Sequence, residues 1–162
     1  MNVTIHTKSA RSKKEWIRSL KMEEAMRRLQ TDERKGQTVG KLREALPHLK
    51  KSQTAAIVNI CSVVSHSGYP MQSIYSASKH ALLGMTKSLA REYFKEGIRV
   101  HAISPGGVYT DMVKLSRPDL SPEGMITPGE IADIIEFLLV NRGNAVIDEI
   151  LVHRVGKEPF LV

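Results

Sequence analysis

Three side chains that could move a proton lie within a short stretch of the sequence, and they are Ser62, Tyr75 and Lys79. Tyr75 and Lys79 are four residues apart, a spacing that places two side chains on one face of a helix, one turn apart. A free phenol has a pKa of about 10, and a nearby ammonium favours the phenolate and lowers that pKa. The pair could then exchange a proton near pH 7, while the Ser62 hydroxyl holds a substrate oxygen beside the phenol.

Taken alone, a Tyr-x-x-x-Lys pair is common on helix surfaces, so its interpretation depends on the elements around it. An apolar run over residues 55–64, broken only by Asn59 and Ser62, predicts a strand buried on both faces, as in a parallel sheet. A loop containing Ser, Gly and Pro follows, and a helical pattern then begins near Tyr75. Ser62 would therefore lie at the carboxyl end of a strand, where ligands of open α/β sheets bind.

The order of these residues resembles the Ser…Tyr-x-x-x-Lys signature of the short-chain dehydrogenase/reductase family. The flanks agree, because residues 57–62 read Ile-Val-Asn-Ile-Cys-Ser and residues 78–84 read Ser-Lys-His-Ala-Leu-Leu-Gly. Downstream, residues 103–110 read Ile-Ser-Pro-Gly-Gly-Val-Tyr-Thr, which resembles the family's Pro-Gly…Val-x-Thr segment beside the nicotinamide. The resemblance covers about residues 37–162.

The resemblance implies an oxidoreductase that transfers a hydride between NAD or NADP and a small carbonyl compound or secondary alcohol. Tyr75 would be the general acid/base, Lys79 would lower its pKa and hold the nicotinamide ribose, and Ser62 would bind the substrate oxygen. The residues expected to contact the cofactor are Tyr75, Lys79, Pro105, Gly106, Val108 and Thr110. No metal site is expected.

The expected fold is α/β, namely the C-terminal part of a Rossmann-like doubly wound parallel sheet with three strands and flanking helices. Strands are predicted over residues 55–64, 98–104 and 145–152. A basic helical N-terminal segment of unassigned role (1–36) would precede this truncated Rossmann-like domain (37–162). The sheet edge where further strands would pair is expected to be exposed.

The sequence has no Gly-x-x-x-Gly-x-Gly or Gly-x-Gly-x-x-Gly loop after a strand. In a doubly wound sheet that half supplies the helix N-terminus under the pyrophosphate and the residues that distinguish NADH from NADPH. Activity of the chain by itself is therefore an open question. The alternatives are a non-catalytic interaction or dimerisation module related to these enzymes, and a fragment whose true start was lost.

Residues 1–36 carry most of the positive charge, with ten Lys and Arg against five Asp and Glu in a chain of net charge +7. A helical pattern from Ser12 to about Leu29 leaves much of its surface basic. We interpret it as a solvated helix face, with an arm for nucleic acid as the less favoured alternative, because no recognised binding motif accompanies it. A replaced or mistranslated start is a third interpretation.

The composition of the chain indicates one folded domain in a reducing compartment. Hydrophobic residues make up 41% of 162 residues, enough for a core, and the single cysteine excludes an internal disulfide. No apolar run approaches the ~20 residues that span a bilayer, and the N-terminus lacks the apolar region of a secretory signal. We therefore expect a cytoplasmic protein without membrane contact.

Two helical patterns, over residues 41–50 and 75–95, are candidates for a homo-oligomer interface. Ala77, Ala81 and Gly84 form a stripe of small residues on the second pattern. The resemblance implies a four-helix bundle between subunits, but the stripe could equally pack on its own sheet.

Local signals set the remaining boundaries. Gly97 is a helix stop, and residues 127–130, Thr-Pro-Gly-Glu, form a capping box that starts another helix. Residues 111–126 resemble the loop that covers the substrate in the family. His101 is expected to be a packed residue and not a ligand.

Overall fold

The computed structural model describes residues 2–6, 37–116, 118–158 and 160. In chain order its elements are β1 (Asn2–His6), α1 (Gln37–Leu49), β2 (Ala56–Ile60), α2 (Ser73–Tyr93), β3 (Arg99–Pro105), α3 (Asp111–Ser116), α4 (Pro128–Val140) and β4 (Glu149–Val152). Short 3-10 turns over Val63–Ser65 and Phe94–Glu96 follow β2 and α2.

The predicted parallel sheet is confirmed. Strands β2, β3 and β4 are neighbours in that order and run parallel, with Ile60 paired with Ile103 and Pro105 paired with Val152. Because parallel strands end at the same edge, the residues that follow β2 and β3 meet there. This alignment brings Ser62 close to Pro105.

The sheet has one strand that the sequence analysis did not predict. The backbone of β1 pairs antiparallel with β2, so the edge of β2 that was expected to be exposed is covered. Among the described residues, the sheet therefore has three parallel strands and one antiparallel strand. The helix predicted from Ser12 to Leu29 lies outside the described residues.

The core lies on both faces of the sheet, as the apolar run of β2 predicted. Alternate residues of a strand point to opposite faces, so Ile57 and Val100 pack with α1 and the C-terminal half of α2, whereas Val58 and Ile103 pack with α4. The side chains of Ile57, Val58 and Ile103 are fully buried. Burial on both faces favours the continuous Val- and Ile-rich pattern seen in the sequence.

Helix α2 buries one face and exposes the stripe of small residues. Its buried positions include Leu82, Leu83 and Leu89, whereas Ala77, Ala81 and Gly84 are exposed. The proposal that the stripe packs on its own sheet is therefore wrong. The physical reason is the helical period, because the larger Leu side chains, which gain most from burial, occupy the opposite face.

Several predicted boundaries shift by a few residues. The strand predicted over 55–64 ends at Ile60, and the strand predicted over 145–152 begins only at Glu149. The helix predicted over 41–50 begins at Gln37, and Pro47 lies inside its last turn. Residues 111–126 contain the short helix α3 at their start.

The predicted caps are confirmed. Gly97 has a φ of 73° and closes the turn after α2, a left-handed conformation that suits glycine. At the start of α4, the Thr127 hydroxyl accepts a hydrogen bond from the Glu130 amide, and the Glu130 carboxylate accepts one from the Thr127 amide. Within the described residues, no helix is both long enough and apolar enough to cross a membrane.

Replacement of Ile135 by alanine tests the core between α4 and the sheet. Ile135 is fully buried, so we expect Ile135→Ala to lower the free energy of unfolding by about 2–5 kcal/mol through lost burial and a residual cavity. The matched control is Val140→Ala on the same helix, where the side chain is 68% exposed and the change should stay within about 0.5 kcal/mol. Urea unfolding followed by circular dichroism measures both, and equal losses would contradict this packing.

Candidate active site

The Lys79 ammonium lies at the carboxyl end of β2. Helix α2 places Tyr75 in its first turn and Lys79 one turn later, on the face toward the sheet. Lys79 is buried, and its Nζ donates a hydrogen bond of 2.8 Å to the carbonyl of Ile60. Burial lowers the pKa of Lys79, because desolvation disfavours the charged form.

The phenol of Tyr75 lies close to this ammonium and to the Ser62 hydroxyl. The Nζ of Lys79 is 5.8 Å from the centroid of the Tyr75 ring, and the residue remains 47% exposed. Desolvation raises the pKa of Tyr75, and a hydrogen bond with Ser62 lowers it.

The pKa of Tyr75 is raised overall, because desolvation outweighs the hydrogen bond with Ser62. The expectation that Lys79 lowers this pKa stays a prediction. The Lys79 ammonium donates to the Ile60 carbonyl, and burial lowers its own pKa.

Ser62 caps the 3-10 turn that follows β2. Its hydroxyl accepts a hydrogen bond from the Val64 amide at 3.4 Å and donates one to the Pro105 carbonyl at 3.4 Å. In return, the Ser65 hydroxyl accepts a bond of 3.2 Å from the Ser62 amide. The capping chemistry therefore holds the Ser62 hydroxyl between the ends of β2 and β3.

The segment after β3 leads away from this cluster. The Gly106 amide donates to the Val152 carbonyl at 2.8 Å. A β-carbon on Gly107 would lie 3.1 Å from the Met125 methyl group, a distance that requires the neighbour to shift. Val108 pairs with Ile126 in an isolated bridge.

Thr110 immediately precedes α3, and its hydroxyl oxygen accepts a hydrogen bond of 3.4 Å from the Val113 amide. The structure thus joins Ser62, Tyr75, Lys79 and Pro105 in one cluster, with Gly106 next to it. Val108 and Thr110 lie farther along the same segment.

The donors of this cluster fit the nicotinamide end of a dinucleotide. An ammonium has three N–H donors, and the Ile60 carbonyl takes one from Lys79, so two remain for ribose hydroxyls. The Thr110 hydroxyl proton is likewise available as a donor, since its cap uses only the oxygen. For the pyrophosphate, the sequence offers no glycine-rich loop of the kinds described above.

Comparison with protein families assigns the chain to one family. A family model described as short chain dehydrogenase matches residues 13–121. The chain belongs to the short chain dehydrogenase family. The match begins well before residue 37, so the expectation that the resemblance starts there is wrong, while the division at residue 36 into two domains stays a prediction.

Short chain dehydrogenases of known sequence or structure cover a large part of this chain. Carbonyl reductase family member 4 of Xenopus tropicalis is 42% identical over 107 residues, which are 63% of this chain and 45% of that protein. The crystal structure of a β-ketoacyl-[ACP] reductase from Bacteroides thetaiotaomicron superposes with a TM-score of 0.62 at 32% identity, covering 73% of this chain and 48% of that one.

A third relative carries a dinucleotide. The structure of ElxO with NADP bound superposes with a TM-score of 0.59 at 28% identity, covering 70% of this chain and 50% of the other. The chain therefore spans about half the length of the relatives it matches.

Two buried polar side chains of β2 and β3, those of Asn59 and His101, each make one hydrogen bond within the fold. His101 is 2% exposed, and its Nδ1 donates to the Ile147 carbonyl at 2.6 Å, in agreement with the expected packing role. Asn59 donates through Nδ2 to the Thr86 hydroxyl at 2.8 Å. Within the described part of the chain, no group of three or more His, Cys, Asp or Glu side chains could hold a metal ion.

The sequence analysis missed Cys61 as a neighbour of the cluster. Burial raises the pKa of its thiol to about 11, and the charge of Lys79 acts in the opposite direction. Its position between Ile60 and Ser62 could have predicted this. A residue there must lie near the Lys79 side chain, which reaches the end of β2.

The pH dependence of stability tests the burial of Lys79. Because the pKa of Lys79 is lower in the folded state than its ordinary 10.5, the unfolded chain binds more protons between those two pKa values. The stability contributed by Lys79 therefore rises as the pH increases through that window. We expect the free energy of unfolding of the wild type to rise relative to that of Lys79→Met between neutral pH and pH ~10.

Denaturant unfolding of both proteins over this pH range measures the difference between the two curves. Tyr75 and Cys61 titrate in both proteins, and burial holds the pKa of Cys61, which responds to the Lys79 charge, at about 11, above this pH range. The difference between the two curves therefore reports mainly Lys79. Parallel curves would contradict the burial of a charged lysine, and Lys87→Met, at an exposed position of α2, serves as the control.

Proposed function

We propose that this chain carries the chemical centre of an NAD(P)(H)-dependent oxidoreductase that interconverts carbonyl compounds and secondary alcohols. The observation that carries the proposal is the convergence of Ser62, Tyr75 and Lys79 at the carboxyl end of β2. Membership of the short chain dehydrogenase family and the reductases among its relatives support the same activity.

In this proposal Tyr75 exchanges the proton of the reacting oxygen. In the reductive direction the phenol donates its proton to the developing alkoxide, and its raised pKa keeps it protonated until then. The Ser62 hydroxyl, whose single proton goes to the Pro105 carbonyl in this structure, would turn to hold the same oxygen by a hydrogen bond. Lys79 then contributes mainly by fixing α2 and by binding the ribose, and less by lowering the pKa of the phenol.

A nicotinamide dinucleotide, when bound, supplies or accepts the hydride. We propose that Lys79 and Tyr75 hold its ribose, and that Pro105, Gly106, Val108 and Thr110 contact its nicotinamide. Support comes from the free donors of Lys79 and Thr110 and from the relative that binds NADP. The proposed location is the cytoplasm, which a reduced, buried Cys61 suits.

Removal of the phenolic hydroxyl tests the proposed role of Tyr75. We expect Tyr75→Phe to lower kcat for ketone reduction at least ~100-fold, because general acid catalysis typically contributes 10²–10⁴-fold. Nicotinamide absorbance with NADPH or NADH and a panel of small aliphatic and aromatic ketones measures the rate. Tyr69→Phe, at an exposed position of the preceding loop, is the matched control and should leave the rate unchanged. Equal turnover by Tyr75→Phe and wild type would refute the role.

We also propose that the chain self-associates through α2, which is one form of the interaction-module interpretation. Ala77, Ala81 and Gly84 are exposed, and a β-carbon on Gly84 would meet no atom within 4 Å. Small exposed residues allow a second helix to approach closely, and they leave no large side chain to be displaced.

Sedimentation velocity tests this association. We expect the wild type to sediment as a dimer or larger and Ala81→Arg to sediment as a monomer, because a buried, unpaired guanidinium would prevent close approach. Glu123→Arg introduces the same side chain at an exposed loop position and should not change the assembly. A monomeric wild type would contradict the proposal.

A further inference from the structure

One carboxylate outside the residues already discussed connects three elements. Glu149 begins β4, and its Oε1 accepts a hydrogen bond of 2.7 Å from His66 and one of 2.5 Å from the Ser104 hydroxyl. Because a carboxylate only accepts, His66 donates through Nε2–H. The side chains of His66 and Glu149 are 25% and 19% exposed, so the pair is partly solvated. Charge-assisted bonds of this kind are stronger than neutral ones.

The two partners of Glu149 flank the hydrogen bond that holds Ser62. His66 closes the 3-10 turn that Ser62 opens, and the His66 amide donates to the Val63 carbonyl at 3.1 Å. Ser104 immediately precedes Pro105, whose carbonyl accepts the bond from Ser62. A single carboxylate oxygen therefore ties together the two backbone segments that the Ser62 hydroxyl bridges.

The Ser62 hydroxyl needs such an anchor because its own two hydrogen bonds are long. Both hydrogen bonds of the Ser62 hydroxyl measure 3.4 Å. This is beyond the usual range of about 2.5–3.0 Å for the O–H donor to Pro105 and of about 2.7–3.2 Å for the N–H donor of Val64. The turn itself contains three residues. A shift of about 1 Å in a positioned group can reduce a rate about 100-fold. The long hydrogen bonds of Ser62 hold its hydroxyl only weakly. The short hydrogen bonds of Glu149 are placed to fix the two backbone segments on either side of that hydroxyl.

We propose that Glu149 is a positioning residue, which holds His66 and Ser104 so that the Ser62 hydroxyl stays within hydrogen-bond reach of the Tyr75 phenol. The inference rests on the proposed function, since it concerns the hydroxyl pair assigned there. The sequence analysis missed this cluster because His66 and Glu149 are 83 positions apart. The only sequence signal was that Ser104 and Glu149 belong to neighbouring predicted strands.

The charges around Glu149 allow its positioning role to be separated from its electrostatic effect. The Cys61 thiol senses both Lys79 and Glu149, so all three groups share one environment. Loss of the Glu149 charge alone would favour the phenolate and lower the pKa of Tyr75. Displacement of Ser62 would remove a bond that favours the phenolate and would raise the same pKa. The two effects have opposite signs.

Titration of Tyr75 in the full chain tests the proposal without cofactor or substrate. The chain has four tyrosines, and ¹³Cζ-labelled tyrosine with Tyr75→Phe as the assignment standard gives the pKa of this phenol by NMR. We expect Glu149→Met, which removes both acceptor oxygens, to raise the pKa of Tyr75, but by less than Ser62→Ala does, because loss of the carboxylate charge acts in the opposite direction. Glu149→Gln keeps one acceptor and should restore most of the wild-type value.

The double variant Ser62→Ala/Glu149→Met should show no further rise, because both changes remove the same hydrogen bond. His66→Ala leaves the carboxylate in place and should also raise the pKa, which keeps the test decisive if Glu149→Met fails to fold. Glu123→Met, at an exposed loop position, is the matched control and should leave the pKa unchanged.

An unchanged or lowered pKa of Tyr75 in both Glu149→Met and His66→Ala would overturn the positioning role. That failure is distinct from failure of the proposed function. Tyr75→Phe could still abolish turnover while these pKa values stay constant. Conversely, a chain without turnover in every ketone assay could still show the predicted rise.

Discussion

The hydrogen bond between the Lys79 ammonium and the Ile60 carbonyl is the contact on which the site depends. A buried ammonium requires an acceptor, and here the acceptor is the last carbonyl of β2, so the helix is fixed against the strand end. Tyr75 lies one turn before Lys79, and Ser62 lies two residues after Ile60. The position of a single side chain therefore decides where the phenol and the hydroxyl meet.

The parts of the site that follow from local rules could be predicted from the sequence. Helical geometry alone places Tyr75 and Lys79 on one face, and an apolar run ended by a polar residue places Ser62 at a strand end. The Gly97 stop and the Thr127 cap are equally local, because each satisfies backbone groups within a few residues. Family resemblance adds the Pro-Gly segment after β3, whose backbone the structure places next to Ser62.

The parts that depend on distant residues could not be predicted. The pKa of Tyr75 depends on desolvation by the folded chain, which raises it and outweighs the hydrogen bond with Ser62. Strand β1 and the Glu149 cluster are pairings between segments with no shared sequence signal. The stripe of Ala77, Ala81 and Gly84 could be predicted only in part. Helical periodicity defines the stripe, but only the packing of the Leu residues shows which face of α2 is buried.

The sequence separations within the site bear on the order in which it assembles. The contact of Lys79 with Ile60 closes a loop of 19 residues, that of Ser62 with Pro105 closes 43, and that of His66 with Glu149 closes 83. The entropy lost on closing a loop grows with its length, and each contact already formed shortens the loops that remain. We therefore expect the contact between Lys79 and Ile60 to form first. The ends of β2 and β3 would align next, and the contacts of the Glu149 carboxylate would form last. In kinetic terms, we expect the Tyr75 phenol to reach its final environment in steps, the last of which is the addition of β4.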